Sequence, residues 1–281
     1  MTLEPYNFGG LKNQSYEKAR VVVFPIPFEA TTSYMSGTKF GPRAIIDASR
    51  HMELFDIELA KDLSRVGIFT LPELSCPKKS FEESIKEIKQ ATLKLLKDKK
   101  FVLTLGGEHT ISYGLISAFK EKYKDFSVLQ IDAHSDLRDE YEGTKLNHAC
   151  VMRRVRDLGI SVTGVGIRSQ DKTEIEYMRK QKIKTIFYAP KLPLKKIISS
   201  LAKNVYITFD VDGLDPSIMP ATGTPEPGGF LWYEVLNLIK QVAKEKKIIG
   251  ADIVELSPLP GIVFPDFLAA KLAYKIIGYS L

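Results

Sequence analysis

Short apolar, β-branched runs alternate along the chain with longer stretches whose apolar positions recur at helical spacing. The short runs, at 20–24, 65–69, 101–105, 126–131, 161–165, 184–187, 205–209 and 248–254, predict eight strands. The longer stretches, at 42–52, 81–97, 111–123, 149–158, 172–181, 194–202, 233–244 and 267–279, predict eight helices. Alternation of this kind marks βαβ units around a mainly parallel sheet with helices on both faces. No repeat or low-complexity linker interrupts it. The expected architecture is therefore α/β, one three-layer α/β/α domain over residues 1–281 with about eight strands.

Three long irregular segments follow strands, at 25–41, 132–148 and 210–230. Loops of this length inside a compact domain are usually functional or disordered, and parallel sheets bind ligands at the carboxyl ends of their strands. Here the strand ends carry chemistry. Gly106-Gly107-Glu108-His109 follows one apolar run, Asp132-Ala133-His134-Ser135-Asp136 a second, and Asp210-Val211-Asp212-Gly213-Leu214-Asp215 a third. A lone Asp at such a place is most often a turn former, and Asp215-Pro216 reads that way. Four aspartates and two histidines on three neighbouring strand ends are different, because uncompensated buried charge is costly. His109, Asp132, His134, Asp136, Asp210 and Asp212 are read as ligands for two metal ions. An oxygen-rich set with some nitrogen suits Mn²⁺. Structural zinc is not expected, since neither cysteine has a partner at ligand spacing. Two divalent cations would neutralise the four aspartates, and a nearby Glu255 would leave the pocket slightly negative. Such a pocket attracts a cation and disfavours two-metal phosphoryl transfer.

The three motifs, in order, resemble those of the ureohydrolase family (arginase, agmatinase and relatives), which shares its fold with histone deacetylases. The resemblance covers nearly the whole chain. Thr31-Thr32-Ser33-Tyr34, Gly37-Thr38-Lys39-Phe40-Gly41-Pro42-Arg43 and Thr222-Gly223-Thr224-Pro225-Glu226-Pro227-Gly228-Gly229 look most like the agmatinase branch. The resemblance implies two Mn²⁺ per subunit. His109, Asp132, Asp136 and Asp210 would hold one ion, and Asp132, His134, Asp210 and Asp212 the other, with Asp132 and Asp210 bridging. It further implies a proton-shuttling role for His148, a guanidinium-holding role for Glu255 and a substrate-binding place for Thr224. Asp136 would accept and return a proton during catalysis. The implied reaction is hydrolysis of agmatine to urea and putrescine. Aminopropylagmatine is the nearest alternative, then arginine and guanidinobutyrate. The implied assembly is a homo-oligomer, trimer or hexamer. Glu108 departs from the family, where Asp is more usual before the metal histidine. So does Ala149-Cys150, where many relatives have Gly-Thr or Gly-Gln. A deacetylase-like single-metal site would need a different ligand set.

Composition adds mostly exclusions. The chain has 281 residues, 44% of them hydrophobic and 26% charged, enough for a sizeable core. No run approaches ~18 apolar residues, so no membrane partner is expected. The start, Met1 to Gly10, lacks the basic and apolar regions of a secretory signal. Cys76 and Cys150 make no disulfide framework, and cytoplasmic residence is the simple expectation. The net charge of +6 resides in lysine runs such as Lys97-Asp98-Lys99-Lys100 and Lys244-Glu245-Lys246-Lys247 at predicted helix ends. Cations there complement the helix dipole, so no nucleic-acid partner is expected. The loop acids Asp139, Glu140 and Glu142 are read as a solvated turn, with contact to a cationic substrate tail as the alternative.

Overall fold

The strands pair into one eight-stranded sheet, parallel throughout, in a computed structural model that describes residues 5–75 and 80–281. Cys76 and the first four residues, on which two of the expectations above rest, lie outside the described residues. The strands are β1 (Val21–Ile26), β4 (Ile68–Thr70), β5 (Phe101–Gly106), β6 (Ser127–Ile131), β7 (Ser161–Ile167), β8 (Ile186–Tyr188), β9 (Asn204–Asp210) and β10 (Lys247–Val254). A small antiparallel hairpin, β2 (Phe55–Asp56) with β3 (Lys61–Asp62), lies outside the sheet. The helices are α1 (Gly41–Ser49), α2 (Phe81–Lys97), α3 (Ile111–Lys122), α4 (Val151–Asp157), α5 (Lys172–Lys180), α6 (Leu194–Ser200), α7 (Trp232–Glu245) and α8 (Phe264–Ser280). All eight predicted strands and all eight predicted helices are present, displaced by a few residues at their ends. The hairpin was not anticipated.

The continuous apolar runs follow from burial on both faces. Val21, Val23, Leu103, Leu105, Ile207, Phe209 and Ala251 pack on one face with Ile45 of α1, Ile197 of α6, and residues of α7 and α8. Val22, Phe24, Val102, Val128 and Tyr206 pack on the other with Ile88 of α2, Leu115 of α3 and Val155 of α4. Successive strand residues point to opposite faces, so a strand covered twice must be apolar at nearly every position. Each fully buried aliphatic side chain contributes roughly 1.5–3 kcal/mol.

Strand order is β4-β1-β5-β10-β9-β6-β7-β8. Of the three motif-bearing strands, β9 and β6 are immediate neighbours, whereas β5 is set apart from them by one strand. β10 lies between β5 and β9, and delivers Glu255 into the middle of the group. Gly107 explains the Gly-Gly pair: a Cβ there would lie 2.0 Å from Phe28 O. The bare backbone lets Gly107 N reach Ile26 O and Glu108 N reach Phe28 O, joining the end of β5 to the loop after β1. At the opposite rim lysines cap helix ends, as the charge pattern suggests. Lys120 Nζ donates to Leu158 O after α4, and Lys246 Nζ to Leu201 O after α6.

Candidate metal centre

The six predicted ligands converge at the carboxyl edge of β5, β9 and β6. His109 Nδ1 lies 3.4 Å from Asp132 Oδ2, 3.1 Å from Asp136 Oδ2 and 3.3 Å from Asp210 Oδ2. His134 Nδ1 lies 2.9 Å from Asp212 Oδ2 and 3.7 Å from Asp132 Oδ1. Two compact groups result, His109/Asp132/Asp136 and Asp132/His134/Asp212, each with donor atoms close enough to share one ion. Asp132 belongs to both. Asp210 sits beside them, its Oδ2 near His109 and its Oδ1 accepting the Asp212 amide.

The donor set fits divalent cations. His109 Nδ1 is fully buried and makes no hydrogen bond, although three carboxylates lie within charge range of it. Its orientation is fixed from behind. Thr208 Oγ1 lies 2.8 Å from His109 Nε2 and donates its own proton to Asp252 Oδ1 at 2.7 Å, while Tyr206 donates to Asp252 Oδ2. With its proton committed, the hydroxyl can only accept from Nε2–H, so Nδ1 is the nitrogen that faces the carboxylates. Against the effect of burial, Asp132, Asp136 and Asp210 raise the ring well above its ordinary value and hold a proton on Nδ1, whose place a bound cation would take. Electrostatics tell the same story. Burial and repulsion from Asp136 and Asp212 push the Asp132 carboxyl up to about 7. Burial, with Asp212 and Asp132, raises Asp210 well above its usual range. His134 is pushed up to about 11, its carboxylate neighbours led by Asp212 outweighing burial, and Asp212 is held down at about 2 chiefly by His134. Crowded, mutually repelling carboxylates that hold protons on themselves and on two facing imidazoles are what bound cations would relieve, by displacing those protons.

A pH dependence of the cation-free protein follows. Asp132, up to about 7, and Glu255, up to about 8, keep protons in the folded state that the unfolded chain releases near pH 4. The folded state then binds more protons, so stability falls as pH rises between about pH 4 and pH 8. The raised His134 acts in the same sense above its ordinary 6.5, and the lowered Asp212 acts oppositely only below 3.8. Thermal unfolding in chelator should show a midpoint falling through this window, and Mn²⁺ should raise the midpoint more at its upper end. A gain independent of pH would contradict the cluster's charge balance.

A cavity of about 290 Å³ opens onto the cluster. Eight of the nine predicted site residues line it: His109, His134, Asp136, His148, Asp210, Asp212, Thr224 and Glu255. The ninth, Asp132, is fully buried between His109 and His134. Glu255 and Asp136 both hold left-handed backbone, φ 66° and 53°. Strain of this kind in non-glycine residues concentrates at functional sites. Glu255 Oε1 accepts His109 N at 2.6 Å. Burial, then repulsion from Glu108, lifts its carboxyl to about 8. Thr32, Ser33, Tyr34 and Met35 form one wall, and Ser169, Gln170, Asp171 and Arg138 another. Arg138 is drawn aside onto the Tyr141 ring, 4.8 Å from its centroid, near Asp171.

Cys150 is buried and its thiol is pushed up to about 12, first by burial and then by Asp136, so it is no nucleophile. Asp215 is a turn former, accepting from Ser217, Gly228 and Gly229. None of Asp139, Glu140 and Glu142 lines the cavity. Asp139 instead pairs with Arg153, Arg154 and Lys145, which ties the loop to α4, and the loop's contributions are Arg138, Tyr141 and His148.

Four supporting residues escaped the motif reading. Glu174 accepts Ser135 Oγ, Leu137 N and Asp171 N, stapling the ligand loop to α5. Its signal was a capping box, Asp171-x-x-Glu174. Thr208 and Asp252 showed only as polar residues inside apolar strands. Arg168 donates to Asp212 O at 2.6 Å, Glu226 O at 2.7 Å, Pro227 O at 3.0 Å and Gly166 O at 3.2 Å. It joins a ligand-bearing turn to the loop that carries Thr224. Arg168→Lys keeps the charge but not the planar fork, and should lower unfolding stability by about 2–4 kcal/mol in denaturant titration. A loss within experimental error would refute the clamp.

A sequence model of the arginase family matches residues 19–278. The chain belongs to the arginase family. This family member is 41% identical over 277 residues to the N(1)-aminopropylagmatine ureohydrolase of a Synechocystis species, covering 94% of this chain and 90% of the relative. It is 36% identical over 252 residues to the agmatinase of Halalkalibacterium halodurans, covering 88% and 87%. Among solved structures, the agmatine ureohydrolase of Thermoplasma volcanium superposes with a TM-score of 0.89 at 34% identity, covering all of this chain and 95% of that one. The chain is therefore a hydrolase of the agmatinase and aminopropylagmatine ureohydrolase type, with the arginase fold. Among the described residues, no helix is long and apolar enough to cross a membrane.

Proposed function

We propose that this chain is a two-manganese ureohydrolase that releases urea from N1-aminopropylagmatine, leaving spermidine, and that agmatine is its shorter and slower substrate. The observation that carries the ureohydrolase reading is the position of Glu255. It is a buried carboxylate directly after β10, which runs between β5 and β9, and it lines the cavity beside both candidate ion groups. The sequence motifs put agmatine first. The order is reversed here because the relatives of 41% and 39% identity are aminopropylagmatine ureohydrolases, while the agmatinases stand at 36%.

His109, Asp132, Asp136 and Asp210 would hold one ion, and Asp132, His134, Asp210 and Asp212 the other. When bound, such ions lower the pKa of water toward neutrality and so make a nucleophile available for the unreactive guanidinium carbon. Glu255 accepts two N–H bonds from the planar guanidinium and presents its carbon at a fixed distance. Asp136 takes up the proton released on attack. His148 supplies the proton that the departing amine nitrogen needs, since an amide anion cannot leave. The carbon–nitrogen bond to the substrate chain breaks, its electron pair goes to the protonated amine, and the carbon leaves as urea. Manganese as the metal, and a homo-oligomer as the assembly, belong to the same proposal.

The test is urea release from N1-aminopropylagmatine, agmatine, arginine and guanidinobutyrate, each assayed with Mn²⁺ and with chelator. Aminopropylagmatine is expected to show the highest kcat/KM, roughly tenfold or more above agmatine, and chelator to abolish turnover. Faster turnover of arginine or guanidinobutyrate would overturn the cationic-tail assignment.

A further inference from the structure

Glu108 is completely buried, and four donors surround it. Ala30 N and Thr31 N donate to Oε2 at 2.5 and 2.6 Å, and Thr31 Oγ1 and Thr110 Oγ1 donate to Oε1, both at 2.7 Å. The longer glutamate arm thus reaches from the end of β5 into the loop that follows β1. This loop meets His148 on the other side. Thr31 Oγ1 lies 3.2 Å from His148 N and 3.3 Å from His148 Nδ1. Ser33 Oγ lies 3.4 Å from His148 Nε2.

A hydroxyl has one proton and two lone pairs. The Thr31 proton is committed to the Glu108 carboxylate, the shortest and the only charged acceptor within its reach. Its lone pairs therefore face His148, one accepting the backbone N–H and the other facing Nδ1. A nitrogen opposite a lone pair must bring its own hydrogen. We propose that Thr31 and Glu108 are positioning residues that set the neutral tautomer of His148, with hydrogen on Nδ1 and the bare lone pair on Nε2. The proton that His148 exchanges in catalysis then resides on Nε2, the nitrogen on the Ser33 side, and Ser33 lines the cavity. When protonated His148 acts as an acid, the Nε2–H bond breaks, its electron pair stays on Nε2, and a new N–H bond forms on the leaving amine. The catalytic consequence rests on the role given to His148 under Proposed function, whereas the tautomer does not.

The test is nitrogen-15 magic-angle-spinning NMR on protein labelled at its histidine nitrogens and loaded with diamagnetic Zn²⁺, with His148 assigned by its loss in His148→Asn. Wild type should show a pyrrole-type Nδ1 and a pyridine-type Nε2 for His148. In Glu108→Gln the amide can donate to Thr31 Oγ1, the hydroxyl proton turns toward His148, and the pattern should invert. Thr31→Val removes the acceptor and should mix the tautomers. With Mn²⁺ it should lower kcat by about tenfold or more while leaving KM nearly unchanged. Thr31→Ser should restore both spectrum and rate. A pyridine-type Nδ1 in wild type, or an unaltered His148 spectrum in Thr31→Val, would overturn the proposal. A shifted spectrum with unchanged urea release would uphold the tautomer and remove His148 from the proton path.

Discussion

Asp210→Asn is expected to reduce urea release by more than ~10³-fold without unfolding the protein. Asp210 Oδ1 accepts the Asp212 amide at 2.9 Å, and an asparagine oxygen can keep that bond. The other oxygen, 3.3 Å from His109 Nδ1, becomes an amide nitrogen, which has no lone pair for a metal ion. The change also removes one charge from a cluster in which Asp212 and Asp132 repel Asp210. In chelator the variant should therefore unfold at the wild-type temperature or above it, while its bound manganese falls below two ions per chain. Asp132→Asn should abolish turnover as well, but with a stability cost. Its two oxygens accept from Gln130 Nε2 and His134 N, and an amide nitrogen would face one of these donors. Urea release that survived Asp210→Asn would refute the part given to that residue.

Glu255→Gln should separate substrate binding from metal binding. The buried carboxylate already accepts His109 N through Oε1, and an amide oxygen can keep that bond. What remains for the guanidinium is then an NH₂ group, a donor facing donors, in a pocket that has lost its matching charge. Removing one member of a buried, hydrogen-bonded ion pair costs ~2–5 kcal/mol, or about 30-fold to 5,000-fold in kcat/KM. Manganese stoichiometry should stay at wild type, because Glu255 is not among the six side chains that would hold the ions. A loss under about tenfold would show that the guanidinium is held elsewhere.

Most of the scaffold was legible because burial on both sheet faces writes each strand as an apolar run and each helix as a periodic one. The candidate ligands were legible as a cluster because Asp132, His134 and Asp136, like Asp210 and Asp212, are close in sequence as well as in space. Strand order is not written locally, so the insertion of β10 between β5 and β9 had to come from the structure. The hairpin of Phe55–Asp56 and Lys61–Asp62 is too short for any period, and its Asp56 is anchored by Lys275 of α8, far along the chain. Arg168 matters through backbone carbonyls that no sequence motif displays, and Glu174 showed only as a capping box, which does not reveal its hold on Ser135 and Leu137. Glu108 was visible as a departure from the family, and its purpose emerged only with the donors of Ala30, Thr31 and Thr110 around it. The loop acids stay out of the cavity, as the reading of a surface turn expects, and the structure adds that Asp139 is committed to arginines of α4.

Anomalous diffraction at the manganese edge, from crystals saturated with Mn²⁺, tests the whole account most directly. Two peaks per chain are predicted, one contacting His109, Asp132, Asp136 and Asp210, the other contacting Asp132, His134, Asp210 and Asp212. A single peak, or none, would contradict it.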